Sequence, residues 1–583
     1  MTDMRRTILW VVFTMSLVLL WDAWNKHTGQ PPLFGPAPKP AATASAPASS
    51  PNTTAAAAVP AATTTPGAAP AAGVPAAAGG TTAAAPTAAG APAPAPSAEL
   101  VVITTDVVRA SIDPRGGTLV RLELLKFEDT NRPGQPVVLM DQSAKRLYLA
   151  QTGFITNDAG VKLPNHLSPM RATTSQRNLA AGSDTLSLVL ESEPIDGRRL
   201  RKTYTFSRGD YTVTVAHELI NDSAVSVSPQ LYLQLSRDGN PPEGESAFYF
   251  TFTGPAMYTE AGKFQKIEFK DIEKNKASHE KNANNGWVAM VQHYFASAWL
   301  VSDASAREFR TTKVADNHYA IAMVLPAASV APGASARMEA KLYAGPQEEY
   351  KLAALAPGLE LVKDYGWLTV LSKPLFWLLS QLHATLGNWG WAIVALVVLL
   401  KAAFYWLNAS AYRSMAKMKA INPRVMEMRE RLKDNPQKMQ QEMMRIYREE
   451  KVNPLGGCLP ILVQMPFFIA LYWVLLSSVE MRGASWFWLP DLAQPDRLFT
   501  IPLISMPVGI LPILMTASSL VQTWLNPTPP DPMQARLMWI MPIAFSFMFF
   551  YFPSGLVLYW LVNNLLSIAQ QWVINKRLGV LNK

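Results

Sequence analysis

The sequence predicts a polytopic α-helical membrane protein carrying a large all-β domain of the β-sandwich kind. Six transmembrane helices are expected, five of them forming a core. Three observations predict this. Five apolar runs of helix-span length crowd residues 389–574, and a sixth lies near the amino end. Between residues 99 and 345, short β-branched and aromatic segments alternate at period two. Only 16% of residues are charged and 10% are aromatic, which suits a membrane protein with an appended soluble part.

The chain has 583 residues, more than one domain's worth. Its net charge of +9 could suggest nucleic acid, but the basic residues follow membrane topology, so no sequence-specific nucleic acid is expected. The single cysteine, Cys458, excludes an intrachain disulfide and a Cys-based zinc cluster. The seven histidines are scattered, and no HExxH, GxSxG, P-loop or dinucleotide fingerprint occurs. The sequence therefore calls for no cofactor, no metal and no enzymatic chemistry.

Residues 1–29 hold a short basic start, an apolar stretch and then Trp21 and Trp24. An A-x-A-like cleavage site is missing, so an uncleaved anchor is expected, with Arg5 and Arg6 in the cytoplasm. Residues 30–98 are almost wholly Ala, Pro, Thr, Ser and Gly. They cannot bury enough apolar surface to offset ordering entropy and read as a disordered tether.

Residues 99–345 form the β domain, placed in the periplasm by the anchor. Its strand candidates include 186–190, 202–206, 211–215, 231–235 and 248–252. His217 and His293 lack metal-like spacing and read as ordinary surface or core residues. Residues 346–388 mix Trp367, Leu371, Leu375 and Phe376 with Lys363 and Gln381, the pattern of an interfacial amphipathic helix that Pro374 bends or restarts.

The run 389–407, WGWAIVALVVLLKAAFYWL, contains Lys401 and no acid. A bare ammonium near mid-membrane costs roughly 2.5–3.5 kcal/mol on insertion scales. Two readings stand: the charge snorkels to the headgroups, or it wets a polar recess. Residues 408–457 carry eleven Lys/Arg against six Asp/Glu, which places them in the cytoplasm. Met415, Met418, Ile421, Val425, Met428 and Leu432 recur at helical spacing, as do Met439, Met443 and Ile446. Asn435 and Pro436 suit an N-cap and first position, so a helical hairpin with a methionine seam is expected, supported by a Glu427–Arg431 pair. Further spans are expected at 458–479, 501–525, 537–552 and 556–574. A periplasmic loop at 480–500, a cytoplasmic loop at 526–536 and a cytoplasmic tail at 575–583 join or follow them. Six spans put both termini inside.

No Asp or Glu lies inside the five later spans, which argues against an ion-coupled transporter. A small-solute or lipid transporter is the alternative reading. Gln464, Asn563 and Asn564 sit with Lys401 among the apolar runs, and Pro460, Pro466, Pro502, Pro507, Pro512 and Pro542 free backbone carbonyls. These groups are enough to wet a recess.

The segments NPLGGC (453–458), QMPFF (464–468), DPMQ (531–534) and FPSGLVLY (552–559) resemble the YidC/Oxa membrane protein insertases of the Gram-negative type. The resemblance implies a five-helix core around a hydrophilic groove, in the bacterial inner membrane. It implies insertion and folding of nascent membrane proteins, alone or with the Sec translocon. It implies a ribosome or signal recognition particle machinery meeting the cytoplasmic hairpin, and contact with the lipid bilayer. The family commonly has arginine at the position of Lys401, and a tyrosine is frequent where Trp560 stands. Substrate contacts implied by the resemblance are Met465, Phe468, Tyr472, Met548, Phe549, Tyr559 and Trp560. Their alternative role is ordinary lipid-facing surface.

Overall fold

The computed structural model describes residues 99–158, 160–242, 251–432, 435–450, 459–501, 506–526 and 532–578. The expected anchor and tether, the NPLGGC motif and the last five residues lie outside them.

Residues 101–346 build two nine-stranded sheets. In spatial order the first contains Val101–Thr104, Val108–Asp113, Thr118–Asp129, Arg132–Gln142, Leu147–Thr156, Pro229–Asp238, His318–Pro326, Arg307–Ala315 and Asn282–Ala283. The second contains Lys263–Lys266, Gly254–Thr259, Trp287–Val291, Phe295–Leu300, Ser335–Pro346, Thr212–Asn221, Arg198–Ser207, Thr185–Ser192 and Met170–Ala172. Neighbouring strands pair antiparallel, for example Leu188 opposite Tyr204 and Leu233 opposite Met323. Four of the five strand candidates named above fall in these strands, apart from Tyr211, which immediately precedes one. Of the fifth, residues 248–250 lie outside the described residues, and Thr251 and Phe252 belong to no strand.

Period two explains the core. Arg198–Ser207 alternates without a break, turning Leu200, Tyr204 and Phe206 inward. The sheets are also joined by polar contacts: Trp299 Nε1 of the second donates to Gln234 O of the first at 3.1 Å. The same alternation carries Lys202 into the interior. Its Nζ donates to Gly116 O at 2.6 Å and Thr152 O at 3.2 Å, and no carboxylate pairs with it among the described residues. Burial pushes the Lys202 ammonium down to about 7.

Between pH 7 and the ordinary lysine value, the unfolded chain therefore holds a proton that the folded domain has lost. Stability then rises with pH across that window, by up to about 1.4 kcal/mol per pH unit from this group. Lys202→Met is expected to flatten the slope between pH 7.5 and 9.5, below the range where the buried tyrosines titrate. Unfolding midpoints of the two proteins at several pH values check this.

The helical part follows. We number its helices α1 (Thr369–Leu386), α2 (Trp389–Ala403), α3 (Tyr405–Arg431), α4 (Pro436–Glu449), α5 (Leu459–Ser477), α6 (Ile510–Leu525), α7 (Pro532–Phe549) and α8 (Ser554–Arg577). Pro374 lies inside α1 without ending it, because it falls in the second turn, where only one intrahelical bond is lost. Gly387 closes α1 in the left-handed region at φ 68°, and its N–H returns to His383 O at 2.8 Å. Asn388 then caps α2, accepting from Trp391 N at 3.2 Å.

The run 389–407 is not one helix. It breaks at Phe404, and α2 and α3 meet at a 68° bend. Gln570 of α8 donates to Tyr405 O at 3.1 Å just past the break, and Phe404 packs edge-on against Phe467 at 5.1 Å. The run 501–525 also differs. Its start forms a ribbon of Phe499–Ile501 against Met506–Val508, and α6 begins only at Ile510. Pro507 has no N–H to give a helix, and Asp496 supplies the cap by accepting from Leu511 N at 2.7 Å. Among the described residues no single helix is long and apolar enough to cross a membrane. The bent α2–α3 pair meets that test together.

The two parts are pinned together. His293 Nε2 bonds Leu476 O at 2.8 Å, and Arg482 donates to Glu128 O at 2.7 Å. Gln494 donates to Thr130 Oγ1 at 3.2 Å. Burial pushes the His293 imidazole down to about 4, so it is neutral here at pH 7.

Candidate functional site

Lys401 lies on the face of α2 that meets α8. Ile393, Val397 and Lys401 are spaced by four, so they share one helical stripe. Ile393 and Val397 are buried, and Ile393 packs beside Gly555 at the start of α8. Gly390, one turn before that stripe, lies against the Trp486 ring, where any Cβ would come within 2.3 Å. Tight backbone approach of this kind fixes the rotation of α2 and hence the aim of Lys401.

At the other end of the stripe, Lys401 Nζ donates to Ser567 Oγ at 2.6 Å. Ser567 in turn donates to Asn563 O at 2.7 Å, and Tyr412 of α3 lies beside the same hydroxyl. Among the described residues Lys401 has no carboxylate partner. Among the described residues the cation is held between helices by neutral dipoles.

The other polar candidates disperse. Asn563 contributes its backbone carbonyl to this cluster. Asn564 turns toward α6, donating to Ser519 Oγ at 3.1 Å and Ser518 Oγ at 3.3 Å. Adjacent positions on a helix point about 100° apart, so the two asparagine side chains face different neighbours. Gln464 is half-buried on α5 and makes no hydrogen bond among the described residues.

The sequence reading overlooked Ser567, Tyr412, Gln570 and Gln571. Gln571 ties α8 to the end of α6 through Leu525 O at 3.2 Å and Asn526 Oδ1 at 3.0 Å. A signal was present: Asn564, Ser567 and Gln571 form a polar stripe at spacings of three and four along an otherwise apolar helix.

The aromatic candidates form a seam among α5, α7 and α8. Phe549 packs against Trp560 at 4.9 Å, and Phe552 joins Trp560 at 5.6 Å and Tyr472 at 6.4 Å. Phe468 meets Tyr559 at 5.8 Å. Phe468, Tyr472, Met548, Phe549 and Trp560 are half-buried, whereas Tyr559 is only 4% exposed. Contact between Tyr559 and a substrate thus requires α5 and α8 to part. Met465 stands outside the seam at 48% exposed, and α7 presents Ile540, Ile543, Phe545 and Phe547 outward.

In the hairpin, Asn435 accepts from Lys438 N at 3.1 Å with Pro436 in the first turn. Val425, Met428 and Ile446 are buried, with Ile421, Leu432, Met439 and Met443 packed around them. The Glu427–Arg431 pair does not form. Arg424 instead crosses the hairpin to Glu450 at 2.9 Å and Glu449 at 3.2 Å, a contact that binds α3 to α4 rather than one turn to the next.

Comparison with known proteins gives the family. Residues 100–378 match the family model of the YidC periplasmic domain, and residues 381–580 that of the 60Kd inner membrane protein. The chain is 51% identical over 583 residues to the membrane protein insertase YidC of Janthinobacterium sp. (strain Marseille), covering all of both chains. It is 52% identical over 582 residues to the YidC of Ralstonia nicotianae, covering 100% of this chain and 99% of the relative. Among solved structures, an active YidC insertase crystal structure aligns with 81% of this chain and 91% of its own, at 18% identity and TM-score 0.35. Full-length identity of this order, reaching across both the β-rich and the helical part, establishes that the chain belongs to the YidC membrane protein insertase family.

Proposed function

We propose that this chain inserts membrane proteins by giving their short polar tails a wet, positively charged path beside α2 and α8. The observation that carries the reading is Lys401: a cation on an inward stripe, held by Ser567 and facing no carboxylate among the described residues. A tail bearing Asp or Glu supplies the missing partner. The apolar part of the substrate leaves along α5 and α7, where Met465 and the outward side chains of α7 face lipid. Insertion of this kind makes and breaks no covalent bond.

The membrane arrangement belongs to the same proposal. The apolar stretch of residues 7–20, α2, and α5 to α8 make six spans, with both termini and the α3–α4 hairpin in the cytoplasm. The β domain stands in the periplasm of a Gram-negative inner membrane, and α1 lies in the outer interface with Val370 and Trp377 toward lipid. Nascent chains arrive from a ribosome or signal recognition particle machinery at the hairpin, or from the Sec translocon laterally. A small-solute or lipid transporter is the competing reading, but α2 and α5 to α8 contain no Asp or Glu to couple transport.

Site-specific photo-crosslinking tests the substrate path. A photoreactive residue at Met465 is expected to capture a ribosome-bound nascent span, while one at the solvent-facing Val225 of the β domain captures none. No adduct at Met465 with an actively inserting substrate overturns the path.

A further inference from the structure

Where the β domain meets the helical part lies a recess of about 320 Å³. Four arginines line it: Arg132, Arg146, Arg482 and Arg497. Among the described residues Asp129 is the lone carboxylate of the lining, and it pairs with Arg132 at 3.6 Å. Arg482 is fixed by Glu128 O and by the Tyr294 and Phe295 rings at 5.3 and 5.4 Å, contacts that orient a guanidinium without neutralising it. Among the described residues Arg146 donates only to Val138 O, at 3.4 Å. Among the described residues neither Arg146, Arg482 nor Arg497 has a carboxylate within ion-pair distance.

Like charges gathered around one concavity repel, and an anion is what relieves them. The guanidinium fork matches the paired oxygens of a phosphate. The surroundings indicate which phosphate. Arg497 is followed directly by Leu498 and Phe499, both exposed, and Phe487 on the same loop is 72% exposed. Tyr551, in the turn between α7 and α8, also lines the recess. Exposed apolar side chains beside arginines and a tyrosine are the composition of a protein surface at headgroup depth.

We infer that this recess binds the phosphate of an anionic phospholipid headgroup in the outer leaflet, tying the β domain to the membrane surface. The leaflet rests on the spans proposed above. The binding itself does not, so the two can fail separately.

The test uses the full chain in a non-ionic detergent, titrated with dihexanoyl phosphatidylglycerol and followed by native mass spectrometry. Parallel titrations use dihexanoyl phosphatidylcholine, inorganic phosphate and a soluble oligo-glutamate peptide. Saturable binding of phosphatidylglycerol is expected, with weaker binding of the zwitterionic lipid. The double variant Arg146→Gln/Arg497→Gln should bind phosphatidylglycerol about tenfold or more weakly, since two charge-assisted contacts are lost. Arg146→Lys/Arg497→Lys should bind more tightly than the glutamine variant and less tightly than the unchanged chain, since the charge stays and the fork is lost, which separates loss of charge from loss of folding. Equal binding by the glutamine variant overturns the site. Inorganic phosphate saturating at the same concentration as the lipid, or the peptide binding where the lipid does not, overturns the lipid assignment. Labelling of a cysteine placed at Leu498 from the cytoplasmic face alone would overturn the leaflet and leave the binding result standing.

Discussion

Replacing Glu480 with glutamine is expected to loosen the junction between the β domain and the helices by roughly 3 kcal/mol. Lys363 is the reason. Its side chain is fully buried, its Nζ lies 3.2 Å from Glu480 Oε2, and it sits 3.6 Å from the centre of the Phe376 ring. Burial pulls the ammonium below the usual lysine range, and Glu480 pulls it back. Glu480 stands at the start of the loop after α5, Phe376 belongs to α1, and Lys363 lies on the connector from the β domain, so this one cation joins three elements.

Removing the carboxylate leaves a buried unpaired charge, whereas removing the lysine leaves only a partly solvated acid. Lys363→Met should therefore cost much less than Glu480→Gln, and adding Lys363→Met to Glu480→Gln should restore part of the loss. Multi-domain chains depart from two-state unfolding, so hydrogen exchange of residues 359–382 is the appropriate readout. Unchanged exchange in Glu480→Gln would show that the pair holds nothing.

The second large effect concerns activity. Lys401→Ala is expected to lower insertion of substrates with acidic tails by about tenfold or more, and Lys401→Arg to keep it. At an effective dielectric near 20, opposite charges about 4 Å apart attract by ~4 kcal/mol, against ~1 kcal/mol in bulk water. The site between α2, α3 and α8 is less polar than water, yet Ser567 and the Asn563 carbonyl keep the cation solvated. Arginine preserves the charge, and its fork can bind a carboxylate at least as well. A lysine reaching outward to headgroups would give a different result, because alanine would then be tolerated for every tail.

The β domain was legible because its strands obey period two, and Arg198–Ser207 shows how closely the sequence follows the buried face. The same rule hid Lys202: a charged residue at an inward position contradicts the pattern, and only carbonyl partners from distant strands make it tolerable. In the helical part, apolar runs located the helices but not their breaks. The bend at Phe404 depends on Gln570, 165 residues from Tyr405, and the late start of α6 depends on Asp496. Neither is visible in local composition. For the site, the lone lysine in an apolar run was conspicuous, whereas its partner Ser567 is an ordinary residue on a helix. Its importance comes from the rotation of α2 against α8, which Gly390 and Trp486 set at the far end.

The most direct measurement compares two single-span substrates that differ only in tail charge, one with acidic residues and one with their amides. Each is presented to membranes containing the unchanged chain, Lys401→Arg or Lys401→Ala, and insertion is scored by protease protection of the tail. The account predicts that arginine matches lysine for each tail, and a loss with alanine that falls mainly on the acidic tail. Equal losses for acidic and neutral tails with alanine, or no loss for either, would contradict the claim that Lys401 draws the tail into the membrane by its charge.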